Sequence, residues 1–142
     1  MKDNLIPAAT VLVLRDFNDE IEVLMAQRSN KPPFGNLYVF PGGKIDDDDH
    51  LSEFENFCDG LNDSSASDKL GLENNGLSYW IACIRECFEE VGILMAIKNS
   101  GEKLDLDGKD KFRFNEYRRL LVNNEINLLD ICKKENLTLT TK

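Results

Sequence analysis

Apolar and polar positions change period along this chain, and the changes divide it into elements. Residues 8–15 and 21–28 are rich in aliphatic residues and each predicts a strand, with a polar turn over 16–20 between them. The stretch 29–36 contains Pro32 and Pro33 and predicts an irregular loop. Residues 37–40 predict a short strand running into Pro41-Gly42-Gly43. From residue 79 to 91 the period becomes helical, with Ile81, Ile84, Phe88 and Val91 on one face. Ser78 is a candidate N-cap, and Gly92 suits the C-terminal stop. Two more helices are predicted over 112–122 and 125–134. There Phe114, Tyr117, Leu120, Leu121, Leu128, Leu129 and Cys132 recur at helical spacing and read as core. Residues 136–141 read as the start of a strand with no continuation. No internal repeat is visible. These elements predict an α+β class.

The polar face of the 79–91 helix carries the candidate chemistry. Glu86, Glu89 and Glu90 fall at i, i+3 and i+4 and share one face. Three like charges there repel unless a cation gathers them. Hard divalent cations such as Mg²⁺ and Mn²⁺ prefer oxygen ligands, so the cluster is a plausible seat for one. The plainer alternative is an acidic surface helix.

The run Arg85-Glu86-Cys87-Phe88-Glu89-Glu90-Val91-Gly92-Ile93 resembles the second half of the Nudix box, with Cys87 standing where the family has an aliphatic residue. Phe40-Pro41-Gly42-Gly43 is similar to the glycine turn that opens the box, where glycine lets backbone approach metal and substrate closely. After Gly43 and five intervening residues the box has its first Glu; here that position is Asp49. Box spacing would then put the arginine at position 57, but it is at 85, an excess of 28 residues.

This insertion, about residues 50–78, is rich in Asp, Asn, Ser and Gly and reads as a surface loop with few core contacts, dispensable for metal binding. Leu51, Phe54, Phe57 and Cys58 allow one short amphipathic turn within it. It either caps a substrate pocket or forms a passive bulge. An insertion at this point resembles the acyl-coenzyme A diphosphatase branch of the Nudix hydrolases. Arg28-Ser29 together with the Phe40 to Asp46 segment is similar to the coenzyme A signature of such enzymes. Arg28 would clamp a phosphate bidentately, or else mark a solvated strand end.

Length and charge narrow the class. The chain has 142 residues, enough for one domain with a modest core. Its net charge of −9 disfavours duplex nucleic acid and anionic membrane as partners. Asp47 and Asp48, in the acidic run 46–49, read as a solvated turn. No stretch is apolar enough to span a bilayer, and no signal-peptide core is seen, so a cytoplasmic location is expected. Cys58, Cys83, Cys87 and Cys132 lack paired zinc spacing and read as reduced thiols. His50, the single histidine, reads as a loop residue, which argues against a Ser-His-Asp or Cys-His hydrolase.

The resemblance covers residues 5–97 firmly and the rest loosely. It implies an α/β/α sandwich around a mixed sheet, with further strands and a closing helix beyond this chain's end. The chain is therefore expected to be a single, C-terminally incomplete Nudix domain over residues 1–142, open to completion by another chain, including a homodimer. The implied activity is metal-assisted cleavage of a diphosphate in a small nucleoside diphosphate derivative. Coenzyme A or acyl-coenzyme A is the first choice and ADP-ribose or a dinucleotide the second; an inactive module is the remaining alternative. Glu86, Glu89 and Glu90, with the Gly43 carbonyl, would hold Mg²⁺ or Mn²⁺. Arg85 would orient a glutamate or form a mere surface salt bridge. Arg28 and Ser29 would contact substrate. The general base would be Glu86 or a residue from the C-terminal region.

Overall fold

The computed structural model describes residues 5–27 and 36–142. Its order is β1 (Ala8–Thr10), β2 (Leu14–Phe17), β3 (Glu20–Val23), β4 (Ala26–Gln27), β5 (Tyr38–Val39) and β6 (Gly42–Lys44), then 3₁₀ turns over Asp47–His50 and Ser52–Phe57. There follow β7 (Cys58–Asp59), α1 (Asp63–Leu70), α2 (Leu77–Val91), β8 (Ala96–Lys98), α3 (Lys111–Val122), α4 (Leu128–Glu135) and β9 (Leu137–Thr140). The described strands form small sheets. β1 pairs with β6, β2 with β3 and β4 with β5, all antiparallel. The three-stranded sheet has the order β7-β9-β8, and its β7–β9 pair is parallel, so this sheet is mixed.

The polar turn between the first two long strands is tighter than its composition predicts. Only Asn18 and Asp19 leave the ladder, both at positive φ (50° and 63°), and Phe17 pairs directly with Glu20. Asn and Asp tolerate that conformation, which matches the twist of a two-residue hairpin.

Helix α2 is the central element and packs against β1, β6, α1, α3 and the Asp47–His50 turn. Of its predicted apolar face, Ile81, Ile84 and Phe88 are buried and Val91 is half-buried. Phe88 meets Phe114 of α3 edge-on, with ring centroids 6.4 Å apart, and Phe114 meets Tyr117 likewise at 5.5 Å. Such pairs add specificity to the area they bury. The helix starts two residues before the predicted position, and Ser78 is not its cap. The Ser78 hydroxyl donates to the Asn75 carbonyl (2.7 Å). The capping carboxylate is Asp63, which accepts from the Asn75 and Leu77 amides at 2.9 and 3.0 Å. At the other end Gly92 takes φ +73° and its amide donates to the Phe88 carbonyl (3.0 Å), a left-handed stop that glycine adopts without strain.

The insertion departs most from expectation. It is ordered: the Ser52–Phe57 turn, β7 and α1 occupy most of it. Phe54 and Ala66 lie in the hydrophobic core, and β7 adds a strand beside β9. The Gly76 amide donates to the buried Ser67 hydroxyl (2.8 Å), and a side chain at Gly76 would strike the α1 backbone. Polar composition misled because the insertion contributes few apolar residues, but those few sit at contact positions. Its Asp63 also caps α2, so it is part of the scaffold and not a passive bulge.

The strand expected over residues 136–141 is present as β9, and the structure gives it neighbours. β9 is the centre of its sheet, hydrogen-bonded to β7 and β8, with Leu137 and Leu139 completely buried. Its Leu-Thr alternation places both leucines on the face covered by α4. In contrast, Leu14, Phe17, Ile21 and Val23 of the β2–β3 hairpin are exposed.

Candidate active site

The site forms where the glycine turn meets the last two turns of α2. Arg85 is its hub. It is not a surface residue: its side chain is 6% exposed, and that of Asp49 is 2% exposed. Arg85 Nε donates to Asp49 Oδ1 (2.9 Å) and Nη2 to Asp49 Oδ2 (2.9 Å), a two-pronged pair across 36 positions of sequence. Nη2 also donates to the Lys44 carbonyl (2.8 Å), tying α2 to β6. The remaining nitrogen, Nη1, points at the acidic face: 3.0 Å from Glu86 Oε1, 3.4 Å from Glu89 Oε1 and 3.5 Å from Asp46 Oδ2. Burial works against the charged guanidinium, but the hydrogen bonds and charge of Asp49 outweigh it and hold Arg85 firmly protonated.

Glu86 and Glu89 are half-buried. Burial raises both carboxyls above the ordinary range, against the opposing pull of Arg85. Glu90 is more exposed, and its Oε2 accepts from the Gly42 amide (3.2 Å). A Cβ on Gly43 would overlap the Glu86 carboxylate. Cys83 and Cys87 lie on the same helix, and burial pushes both thiols up to about 11, so neither is a thiolate nucleophile at neutral pH. All four cysteines are free, as predicted. Asp47, Asp48 and His50 are solvent-exposed, also as predicted.

Beside the cluster lies a cavity of about 300 Å³ lined by Asp46, Asp49, Arg85, Glu89, Asn124 and Asn127, among others. A larger one, about 490 Å³, lies between β1, Trp80, Cys83, Met95 and residues 140–142; it has no carboxylate on its walls. Of the two, the smaller is the one lined by residues of the cluster: Asp46, Asp49, Arg85 and Glu89.

The all-oxygen donor set suits a hard divalent cation. Among the described residues, no three acidic, histidine or cysteine groups already converge closely enough to hold a metal ion; Glu86 and Glu89 lean toward Arg85 Nη1 instead. The cradle at Gly43 fits such a cation all the same, because only the absence of a side chain lets the Glu86 carboxylate lie against β6 backbone.

Thus the structure brings Gly43, Arg85, Glu86, Glu89 and Glu90 together. Arg28 and Ser29 lie outside the described residues. Sequence reasoning placed Asp49 at the first box position without making it a site residue; its spacing from Gly43 was the available signal. Asp46 and the Lys44 carbonyl were also missed, and no local pattern marks them.

The overall fold has a counterpart among solved structures. A NUDIX hydrolase from Alicyclobacillus acidocaldarius superposes with a TM-score of 0.54 over 84% of this chain and 56% of its own, at 23% identity. The chain has the Nudix fold. In sequence the chain is similar to an acyl-coenzyme A diphosphatase from Xenopus laevis, 30% identical over 81% of this chain. This chain spans only 37% of that relative's length. No protein-family model matches the chain. No helix among the described residues is long and apolar enough to cross a membrane.

Gly43→Ala probes the cradle directly. The clash is with the tip of a flexible side chain, so the fold should persist while the Glu86 carboxylate is displaced. A loss of Mn²⁺ affinity of roughly 10-fold or more is expected, by analogy with disturbed metal shells, with a thermal midpoint close to wild type. Wild-type affinity in a titration of the Ala variant would show that Glu86 is not held by this contact.

Proposed function

We propose that this chain is a divalent-metal-dependent Nudix hydrolase that cleaves the diphosphate linkage of coenzyme A or an acyl-coenzyme A. The observation that carries the reading is the buried Arg85–Asp49 pair, which presents Glu86, Glu89 and Glu90 against a glycine turn beside a polar cavity. Glu86, Glu89, Glu90 and the Gly43 carbonyl would hold Mg²⁺ or Mn²⁺. Such an ion supplies charge neutralisation on phosphoryl oxygens and lowers the pKa of a bound water. Arg85 orients Glu86 and Glu89 through Nη1, and the Gly42 amide orients Glu90. A carboxylate among these, Glu86 first, takes the proton of the attacking water.

The choice of coenzyme A rests on the Xenopus relative and on the Arg28-Ser29 and Phe40 to Asp46 segments. Arg28 and Ser29 contact the substrate in this reading. The four free thiols fit a reducing compartment, and we place the protein in the cytoplasm. A second reading, a Nudix-like module without turnover, is favoured by the way Arg85 Nη1 draws in the carboxylates a metal would need.

A product assay separates the readings. The chain is incubated with Mn²⁺ and equal concentrations of coenzyme A, an acyl-coenzyme A or ADP-ribose, with a chelated control. Metal-dependent release of 3′,5′-ADP from the first two is expected. AMP from ADP-ribose with coenzyme A untouched would move the substrate to the other class; a folded, Mn²⁺-bound and inert protein would support the module.

A further inference from the structure

We propose that Arg118 is a positioning residue for the carboxylates at the end of α2; this rests on the reading of that face as a metal-binding hydrolase centre. Arg118 lies on α3, which packs against α2. Its Nε donates to the Glu89 carbonyl and its Nη2 to the Glu90 carbonyl, both at 2.8 Å. These are the main-chain carbonyls of two of the three candidate ligands.

The last carbonyls of a helix have no intrahelical partner, so the final turn frays unless something binds them. A cation there also complements the helix dipole. The Gly92 stop bends the chain away, and Arg118 lies across it: a Cβ on Gly92 would come 3.5 Å from Nη1. Asp63 holds the opposite end of the same helix through the Asn75 and Leu77 amides. The helix is thus fixed at each end by a charge of the matching sign, one from the insertion and one from α3.

Without Arg118 the local contacts of Glu89 and Glu90 are long ones. Glu90 Oε2 is 3.2 Å from the Gly42 amide, and Glu89 is 3.4 Å from Arg85 Nη1. Both act on the side chains and leave the carbonyls of the last turn without a partner. Arg118 therefore fixes the backbone from which both carboxylates project, without touching the metal or the substrate.

Arg119, its neighbour, is the natural control, because its guanidinium pairs with Glu116 and Glu125 on the surface. The experiment compares wild type, Arg118→Gln, Arg118→Lys and Arg119→Gln for Mn²⁺ affinity, for amide hydrogen exchange at residues 88–92, and for kcat and KM on coenzyme A. Arg118→Gln should weaken Mn²⁺ binding about 10-fold or more, speed exchange at 88–92, and lower kcat more than it raises KM. Arg118→Lys should recover part of each, since an ammonium can reach one carbonyl. Arg119→Gln should match wild type. Unchanged exchange and Mn²⁺ affinity in Arg118→Gln would overturn the proposal, as would an equal loss in Arg119→Gln. If Arg118→Gln does not fold, Arg118→Lys against Arg119→Lys carries the same readouts. A wild type that binds no Mn²⁺ would overturn the hydrolase reading, and with it the ligand-positioning role, even where the exchange data show the helix end to be held.

Discussion

Arg85→Ala is expected to destabilise the protein by about 3–5 kcal/mol, because it leaves Asp49 buried and unpaired. Asp49 is 2% exposed; Arg85 gives it two hydrogen bonds at 2.9 Å and its only opposite charge among the described residues, and the Asp46 amide gives a third at 2.9 Å. Without the guanidinium the carboxylate must either take up a proton or draw water into the core. The Lys44 carbonyl would also lose its donor, releasing β6 from α2. The thermal midpoint should fall by roughly 10–20 °C for a domain of this size. Arg85→Leu combined with Asp49→Leu should recover part of that loss, since replacing a buried pair with apolar groups costs less than breaking it. A denaturant titration of the three proteins measures both effects. An Arg85→Ala protein within about 1 kcal/mol of wild type, the size expected of an exposed pair, would show that the pair is not a structural one.

Glu90→Gln should have the largest effect on activity, with little on stability. The side chain is exposed on the polar edge of α2, away from Ile84 and Phe88, and the amide oxygen can still accept from the Gly42 amide. What is lost is one negative charge from the proposed metal shell. Turnover should fall by about 10- to 100-fold, as for other damaged metal shells, while the thermal midpoint stays near that of wild type. Full turnover by Glu90→Gln in chelator-treated buffer would end the metal mechanism. The same site predicts a pH signature. Burial raises Glu86 and Glu89 above the ordinary value of 4.5. The folded metal-free protein then holds these protons more tightly than the unfolded chain, so their contribution to stability falls as pH rises from about 4.5 through the raised values. Metal binding needs the ionised forms, so affinity should be lost as pH falls through that same window. Mn²⁺ titrations across mildly acidic pH test this; affinity that stays flat down to the ordinary carboxylate range would contradict it.

Local periodicity was sufficient for several features of this protein. The 3.6-residue spacing of Ile81, Ile84 and Phe88 specified α2 and its buried face, and the i, i+3, i+4 spacing of Glu86, Glu89 and Glu90 set the acidic face opposite. Gly92 marked the helix end, and Phe114, Tyr117, Leu121, Leu128, Leu129 and Cys132 of α3 and α4 were recognisable as core, although Leu120, expected with them, is only half-buried. These follow from one helical repeat and need no distant partner. Other features depended on residues far apart in the chain. Sequence alone reads Arg85 as orienting a glutamate or forming a surface salt bridge, and does not foresee its burial against Asp49, 36 positions away. The insertion looked like solvent-facing loop because its composition is polar, yet Phe54, Ala66 and Asp63 are used for packing and capping. β9 looked like a loose end because a strand's neighbours cannot be read from its own residues. Arg118 carried no signal at all, since its partners are backbone carbonyls, which every residue possesses. Burial, pairing and cation placement are set by which surfaces meet, and only the tertiary structure decided that.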